Sequence, residues 1–90
     1  MIIEIYGKQG CSLCQSAKKK IGLLLDKWQM AGQVDVVFQD IETPDGAAEG
    51  DYYDVFDIPS VLLKPDADKV LARWDGQAPP SEELQRRLCA

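Results

Sequence analysis

Cys11 and Cys14 stand two residues apart in the stretch GKQGCSLCQSAKKK, between a short apolar run and a segment with helical periodicity. Residues 2–6, IIEIY, carry β-branched and aromatic side chains and read as a strand. GKQG then forms a loop with a glycine at each end. From Ser12 to about Ala31 the pattern is helical, with Cys14, Ala17, Ile21, Leu24 and Trp28 on one stripe. Gly32 occupies the place of a left-handed C-terminal stop. A cysteine pair at a strand–loop–helix junction suits either thiol redox chemistry or soft-metal ligation, and a third reading takes both as small buried residues.

The remainder of the chain limits the architectures open to this unit. VDVVF, residues 34–38, reads as a second strand, and DIETPDG as a turn. Residues 46–56 read as a weak helix, handicapped by Gly46 and Gly50. A third strand begins at Pro59 in IPSVLL, KPDADK has turn chemistry, and VLARW gives a fourth strand, so residues 60–74 form a hairpin. After DGQAPP, Ser81 is expected to cap a last helix with Glu82 and Glu83 in its first turn and Arg86 and Arg87 near its end. The order is β-α-β-α-β-β-α, an α/β chain whose four-stranded mixed sheet is covered on both faces. Ninety residues suffice for one such domain, residues 1–90, and not for two.

Charge and hydropathy exclude several functions. A net charge of −5 argues against broad contact with nucleic acid or an anionic membrane. The longest apolar run in a helical segment is Leu23-Leu24-Leu25, too short to span a bilayer. MIIEIYGKQG has neither the basic flank nor the apolar core of a secretory leader. These features predict a cytoplasmic monomer in a compartment that keeps thiols reduced, where such a pair is catalytic or metal-binding more often than a structural staple.

The helix mouth separates the roles of the two thiols. Cys11 faces unpaired backbone N–H groups and the positive end of the helix dipole, and Lys8 adds charge from three residues upstream. A thiol pKa lowered by about two units favours the thiolate by roughly 2.7 kcal/mol, which makes it the majority form at neutral pH. Cys14, one turn further in, lies beneath Cys11 and is placed to close a disulfide with it. Cys11 is therefore expected to attack and Cys14 to resolve. For a metal, the chain offers no histidine and only Cys89 besides the pair, so a closed zinc site of thiolates and imidazoles cannot be assembled from one copy. A two-thiolate copper(I) carrier remains compatible with the spacing.

The segment IYGKQGCSLCQSAKKK resembles the glutaredoxins in Tyr6, Lys8, Gly10, Cys11, Cys14 and the alanine and lysines that follow. The second half is more similar to thioredoxin, through Tyr53, Val55, Ile58, Pro59 and Ser60, then a strand pair, Gly76 and a final helix. The resemblance implies a thioredoxin-like three-layer α/β/α sandwich and a dithiol–disulfide oxidoreductase. It implies that the Ile58–Pro59 bond is cis, lies beside the cysteines, and leaves the Ile58 backbone to receive an extended substrate segment. Lys8, Tyr6, Ile58, Pro59 and Gly76 are the substrate-binding residues so implied. Pro59 also counts against the copper-carrier reading.

The expected partners are a disulfide-containing protein substrate and an electron donor, either a thioredoxin-type reductase or glutathione. Glutathione is a candidate co-substrate, and no tightly bound cofactor is expected. An alternative implied by the same resemblance is a carrier of a metal or iron–sulfur cluster with Cys11 as ligand. The chain departs from the glutaredoxins where they hold glutathione: Asp57 replaces a threonine, and QAPP follows Gly76. Asp57 and Asp75 are expected to repel the glutathione carboxylates. Ile5 replaces the buried aspartate of thioredoxin, which removes a carboxylate proton relay. Lys18-Lys19-Lys20 reads as a solvated face, Trp28 and Trp74 as packing residues, and Cys89 as a surface thiol.

Overall fold

The computed structural model describes residues 1–89. In chain order the elements are β1 (Ile2–Gly7), α1 (Ser12–Lys27), β2 (Asp35–Asp40), α2 (Pro44–Tyr52), β3 (Ser60–Lys64), β4 (Ala72–Asp75) and α3 (Ser81–Leu88). The sheet order is β2-β1-β3-β4. β1 runs parallel to β2 and antiparallel to β3, and β3 pairs antiparallel with β4. The expected element order and mixed four-stranded sheet are therefore those observed.

The two faces of the sheet are built differently. Ile3, Ile5, Val61, Leu63 and Trp74 form the main core with Ile21 and Leu25 of α1 and Leu84 and Leu88 of α3. The period of two along β1 sends Glu4 and Tyr6 to the other face, beneath α2. Glu4 and Lys64 there form a buried ion pair at 3.2 Å. The Tyr6 hydroxyl donates to Glu4 at 3.1 Å, and Lys64 Nζ donates to the Tyr53 hydroxyl at 2.9 Å. Each polar group thus has a partner, as burial in a low dielectric requires. Burial, reinforced by the Glu4 carboxylate, raises the Tyr6 phenol pKa, so the hydroxyl stays protonated and can donate. For Lys64, burial works to lower the pKa, but hydrogen bonds to Tyr53 and Glu4 outweigh it and the net direction is up.

Both α1 and α2 end on non-glycine left-handed residues. Past Trp28, Gln29 has φ 59°; its N–H bonds the Asp26 carbonyl at 3.1 Å, and Met30 N–H bonds that of Leu25 at 2.9 Å. Past Tyr53, Asp54 has φ 54°; its N–H bonds Asp51 at 3.2 Å, and Val55 N–H bonds Gly50 at 2.8 Å. These are paired 5→2 and 6→1 closures. They correct the expected stops: α1 closes four residues before Ala31, and α2 four residues before Phe56. The buried stripe of α1 consequently runs through Cys14, Ala17, Ile21 and Leu25, with Leu24 only partly buried. α2 starts earlier than expected because Thr43 caps it, accepting from Gly46 N–H at 3.1 Å, with Pro44 next. Gly46, a liability for an isolated helix, is needed here: a Cβ on it would run into the Asp40 carbonyl. α3 is not capped by Ser81. Pro80 holds the cap position without a side-chain bond, and Ser81 is the first helical residue.

Candidate active site

The site assembles at the end of the sheet where β1 finishes and β3 begins. Tyr6 pairs with Ser60, so Gly7 and Pro59 continue the same line one residue further. Gly7 leads into the loop that carries the cysteines, and the Ile58–Pro59 peptide bond is cis.

Cys11 is the N-cap of α1. Its backbone is extended, and its Sγ accepts the Cys14 N–H at 3.1 Å. Cys11 Sγ thus satisfies one of the N–H groups that a helix start leaves unpaired, within the positive end of the dipole. The two cysteines form a disulfide with Cα atoms 5.2 Å apart. Exposure divides them: Cys11 is half-buried at the mouth, whereas Cys14 is 0% exposed. Upon reduction, the outer sulfur is the one an approaching molecule meets.

Cys14 fits beneath Cys11 because Gly7 has no side chain. A Cβ at Gly7 would lie 2.7 Å from both Cβ and Sγ of Cys14 and 3.4 Å from the Phe38 ring. Real Cβ atoms essentially never come within 3.0 Å of a neighbour. Sequence reasoning missed this role, although Gly7 ends an otherwise side-chain-rich strand, a sign of close approach.

A cleft of about 250 Å³ opens between α1 and the Pro59 and Gly76 segments, lined by Leu13, Ala17, Lys20, Pro59, Gly76 and Gln77 among others. Leu13, between the two cysteines, is 67% exposed. Gly76 has φ 77°, a left-handed turn in which any other residue would be strained, and it lies against Asp57. The structure therefore brings Pro59 and Gly76 together beside the cysteine helix, with Ile58 next to Pro59.

Lys8 and Tyr6 are placed differently from the rest. Lys8 is exposed, and its carbonyl accepts the Cys11 N–H at 3.2 Å, so its backbone braces the loop. Tyr6 is 0% exposed with its hydroxyl on Glu4. Its ring supports the α2 side of the sheet and does not face a substrate, because alternation along β1 turns it from the cleft. Asp75 also differs from expectation. Its carboxylate takes two hydrogen bonds from Arg73, at 3.1 Å and 2.8 Å, and one from Ser60 Oγ at 3.2 Å. The Arg73 bonds hold its carboxyl pKa below the usual range, so its charge is compensated, unlike that of Asp57. Lys20 is tied by Nζ to the Pro79 carbonyl at 3.0 Å, and Lys18 stands over the Phe38 ring at 5.2 Å. The lysine run is therefore only partly a solvated face. Trp74 is in the core and Trp28 packs against it, while Cys89 is exposed at the end of α3.

A parallel β1-α1-β2 unit, an antiparallel β3–β4 hairpin, a helix-capping Cys-x-x-Cys and an adjacent cis-proline make a thioredoxin-like fold, and known structures agree. Thioredoxin 1 from Thermosipho africanus TCF52B aligns with a TM-score of 0.74 at 22% identity, over 98% of this chain and 94% of that one. Thioredoxin from Fasciola hepatica aligns with a TM-score of 0.72 at 19% identity, over 98% and 77% of the two chains. Thioredoxin O2 from Arabidopsis thaliana, in its oxidized state, gives 0.71 at 15% identity, over 97% and 70%. No protein-family model and no curated protein sequence matches the chain. Among the described residues no helix is long and apolar enough to cross a membrane.

Proposed function

We propose that the chain is a dithiol–disulfide oxidoreductase that reduces or exchanges disulfides of protein substrates through Cys11 and Cys14. The observation that carries this reading is the disulfide at the start of α1, with Cys11 at the mouth and Cys14 buried beside Gly7. In the dithiol form the Cys11 thiolate attacks one sulfur of the substrate disulfide. That bond breaks, a mixed disulfide forms, and the departing substrate sulfur takes up a proton. Cys14, deprotonated to solvent or another group in the absence of a carboxylate at Ile5, attacks Cys11 Sγ and expels the second substrate thiolate. Two electrons reach the substrate, and the Cys11–Cys14 disulfide remains. The Ile58 backbone, next to Pro59 and outside β3, is the proposed pairing edge for an extended substrate segment.

The donor that restores the dithiol is proposed to be a thioredoxin-type reductase or another dithiol protein, with glutathione a poor reductant and no cofactor tightly bound. Support comes from Asp57 at the cleft edge and from Pro79 and Pro80, which remove N–H groups where a carboxylate would be cradled. Asp75 no longer supports this reading, since Arg73 neutralises it. The proposed setting is the cytoplasm. The test compares the rate of Cys11–Cys14 reduction at matched potential by glutathione and by a thioredoxin-type reductase with its nicotinamide cofactor. Faster reduction by the reductase is expected. Efficient, saturable reduction by glutathione alone would overturn the donor assignment, and Asp57→Thr should improve glutathione use, more so at low salt.

A further inference from the structure

Resting on the oxidoreductase reading, we infer that the substrate is a polypeptide whose disulfide is flanked by basic residues, docked against an acidic-aromatic rim formed by Asp54, Phe56 and Asp57. Phe56 is 87% exposed, three residues before Pro59. Three residues of extended chain span about 10 Å at most, so the Phe56 backbone lies within about 10 Å of Pro59, which lines the cleft. The closure at Asp54 ends α2, and the segment Val55–Ile58 leads from it to Pro59. An isolated exposed apolar side chain needs no explanation, but this one is next in sequence to Asp57, which lies against the cleft residue Gly76, and the exposed Leu13 lines the same cleft. Aromatic side chains of this kind anchor protein contacts more often than other surface residues do.

Charge selects the partner. Between Asp35 and Asp75 acidic residues outnumber basic ones by eleven to three. Of those three cations, Lys64 is buried on Glu4, and Arg73 is committed to Asp75 and to the Tyr53 carbonyl at 2.7 Å. Arg73 also lies near enough to Asp54 to feel its charge, which leaves one guanidinium among Asp54, Asp57 and Asp75. Among the described residues neither Asp54 nor Asp57 forms a salt bridge. Among the described residues that line the cleft the cation is Lys20, whose ammonium is held by the Pro79 carbonyl, and Lys8 is exposed on the cysteine loop. An extended segment pairing along Ile58 therefore meets uncompensated carboxylates beside Phe56. Basic side chains there gain attraction, and acidic ones are repelled.

The test uses the full chain, pre-reduced, and measures second-order rate constants for reducing three synthetic peptides with one intramolecular disulfide, flanked by Lys-Lys, Gln-Gln or Glu-Glu. Hydroxyethyl disulfide serves as a small neutral control. At low salt the Lys peptide should react about tenfold faster than the Glu peptide, and the rates should converge near molar salt. Asp54→Asn/Asp57→Asn should remove most of that preference. Asp35→Asn/Asp66→Asn makes the same charge change at the opposite end of the sheet and should retain it. Phe56→Ser should slow all three peptides and spare hydroxyethyl disulfide. Equal rates for the three peptides, or equal losses in the two double variants, would overturn the rim assignment while leaving the oxidoreductase reading intact. No reaction with any disulfide, hydroxyethyl disulfide included, would overturn both.

Discussion

Gly7→Ala should make the Cys11–Cys14 disulfide easier to reduce. The new methyl group would lie 2.7 Å from both Cβ and Sγ of Cys14, well inside ordinary contact. β1 cannot readily retreat, since it is paired with β2 on one side and β3 on the other, and the Gly7 carbonyl accepts the Ile41 N–H at 2.9 Å. Cys14 must move instead. In the disulfide its sulfur is tied to Cys11 and has little freedom, whereas in the dithiol it can turn to another rotamer. Overpacking of a filled site costs about 1–3 kcal/mol, and most of it should fall on the oxidised form. A differential cost of about 1.4 kcal/mol raises the potential of a two-electron couple by about 30 mV. The variant should therefore titrate about 20–60 mV above the parent in thiol–disulfide buffers, and its thermal midpoint should fall more when oxidised than when reduced. An unchanged potential, with equal midpoint losses in the two forms, would refute the claim that Gly7 makes room for the oxidised Cys14.

Three further outcomes test other parts of the molecule. Glu4→Leu alone should destabilise the fold by about 3–5 kcal/mol in denaturant titration, because Lys64 is left buried without its carboxylate. Glu4→Leu/Lys64→Met with Tyr6→Phe, which also removes the stranded hydroxyl, should recover most of that loss. The Asp75 carboxyl has a folded pKa below its unfolded value, so its contribution is complete above the unfolded pKa, near 3.8, and is lost as pH falls through the lower folded one; Asp75→Asn should flatten that acid limb of the stability curve. Cys89→Ser should leave disulfide reduction unchanged, since Cys89 is exposed at the end of α3.

The sequence was most legible where patterns are local. The spacing of Cys11 and Cys14 before an amphipathic stretch announced the reactive end of α1, and Ile-Pro-Ser announced the start of β3. The helix stops were not legible by glycine, because Gln29 and Asp54 take the left-handed positions, with neighbouring N–H groups closing the ends. Glu4, in the middle of an apolar strand, and Lys64, at the end of another, each look like a surface charge. Only the antiparallel register that sets Glu4 against Leu62 brings Lys64 within reach, and no local pattern encodes that. The resemblance to the glutaredoxins implied that Tyr6 meets the substrate, and strand alternation puts it on the other face. The exposure of Phe56 depends on where α2 ends, which the sequence placed four residues late.

The central claim is that Cys11 attacks and Cys14 resolves, and trapping the covalent intermediate tests it most directly. Reduced Cys14→Ser and reduced Cys11→Ser, each also carrying Cys89→Ser, are mixed with a disulfide-containing protein, quenched with acid and weighed by mass spectrometry. Cys14→Ser should accumulate a mixed disulfide through Cys11 that persists, because nothing is left to resolve it. Cys11→Ser should form little or none, because the remaining thiol is buried. Rapid adduct formation through Cys14 in Cys11→Ser, with none through Cys11 in Cys14→Ser, would contradict the account.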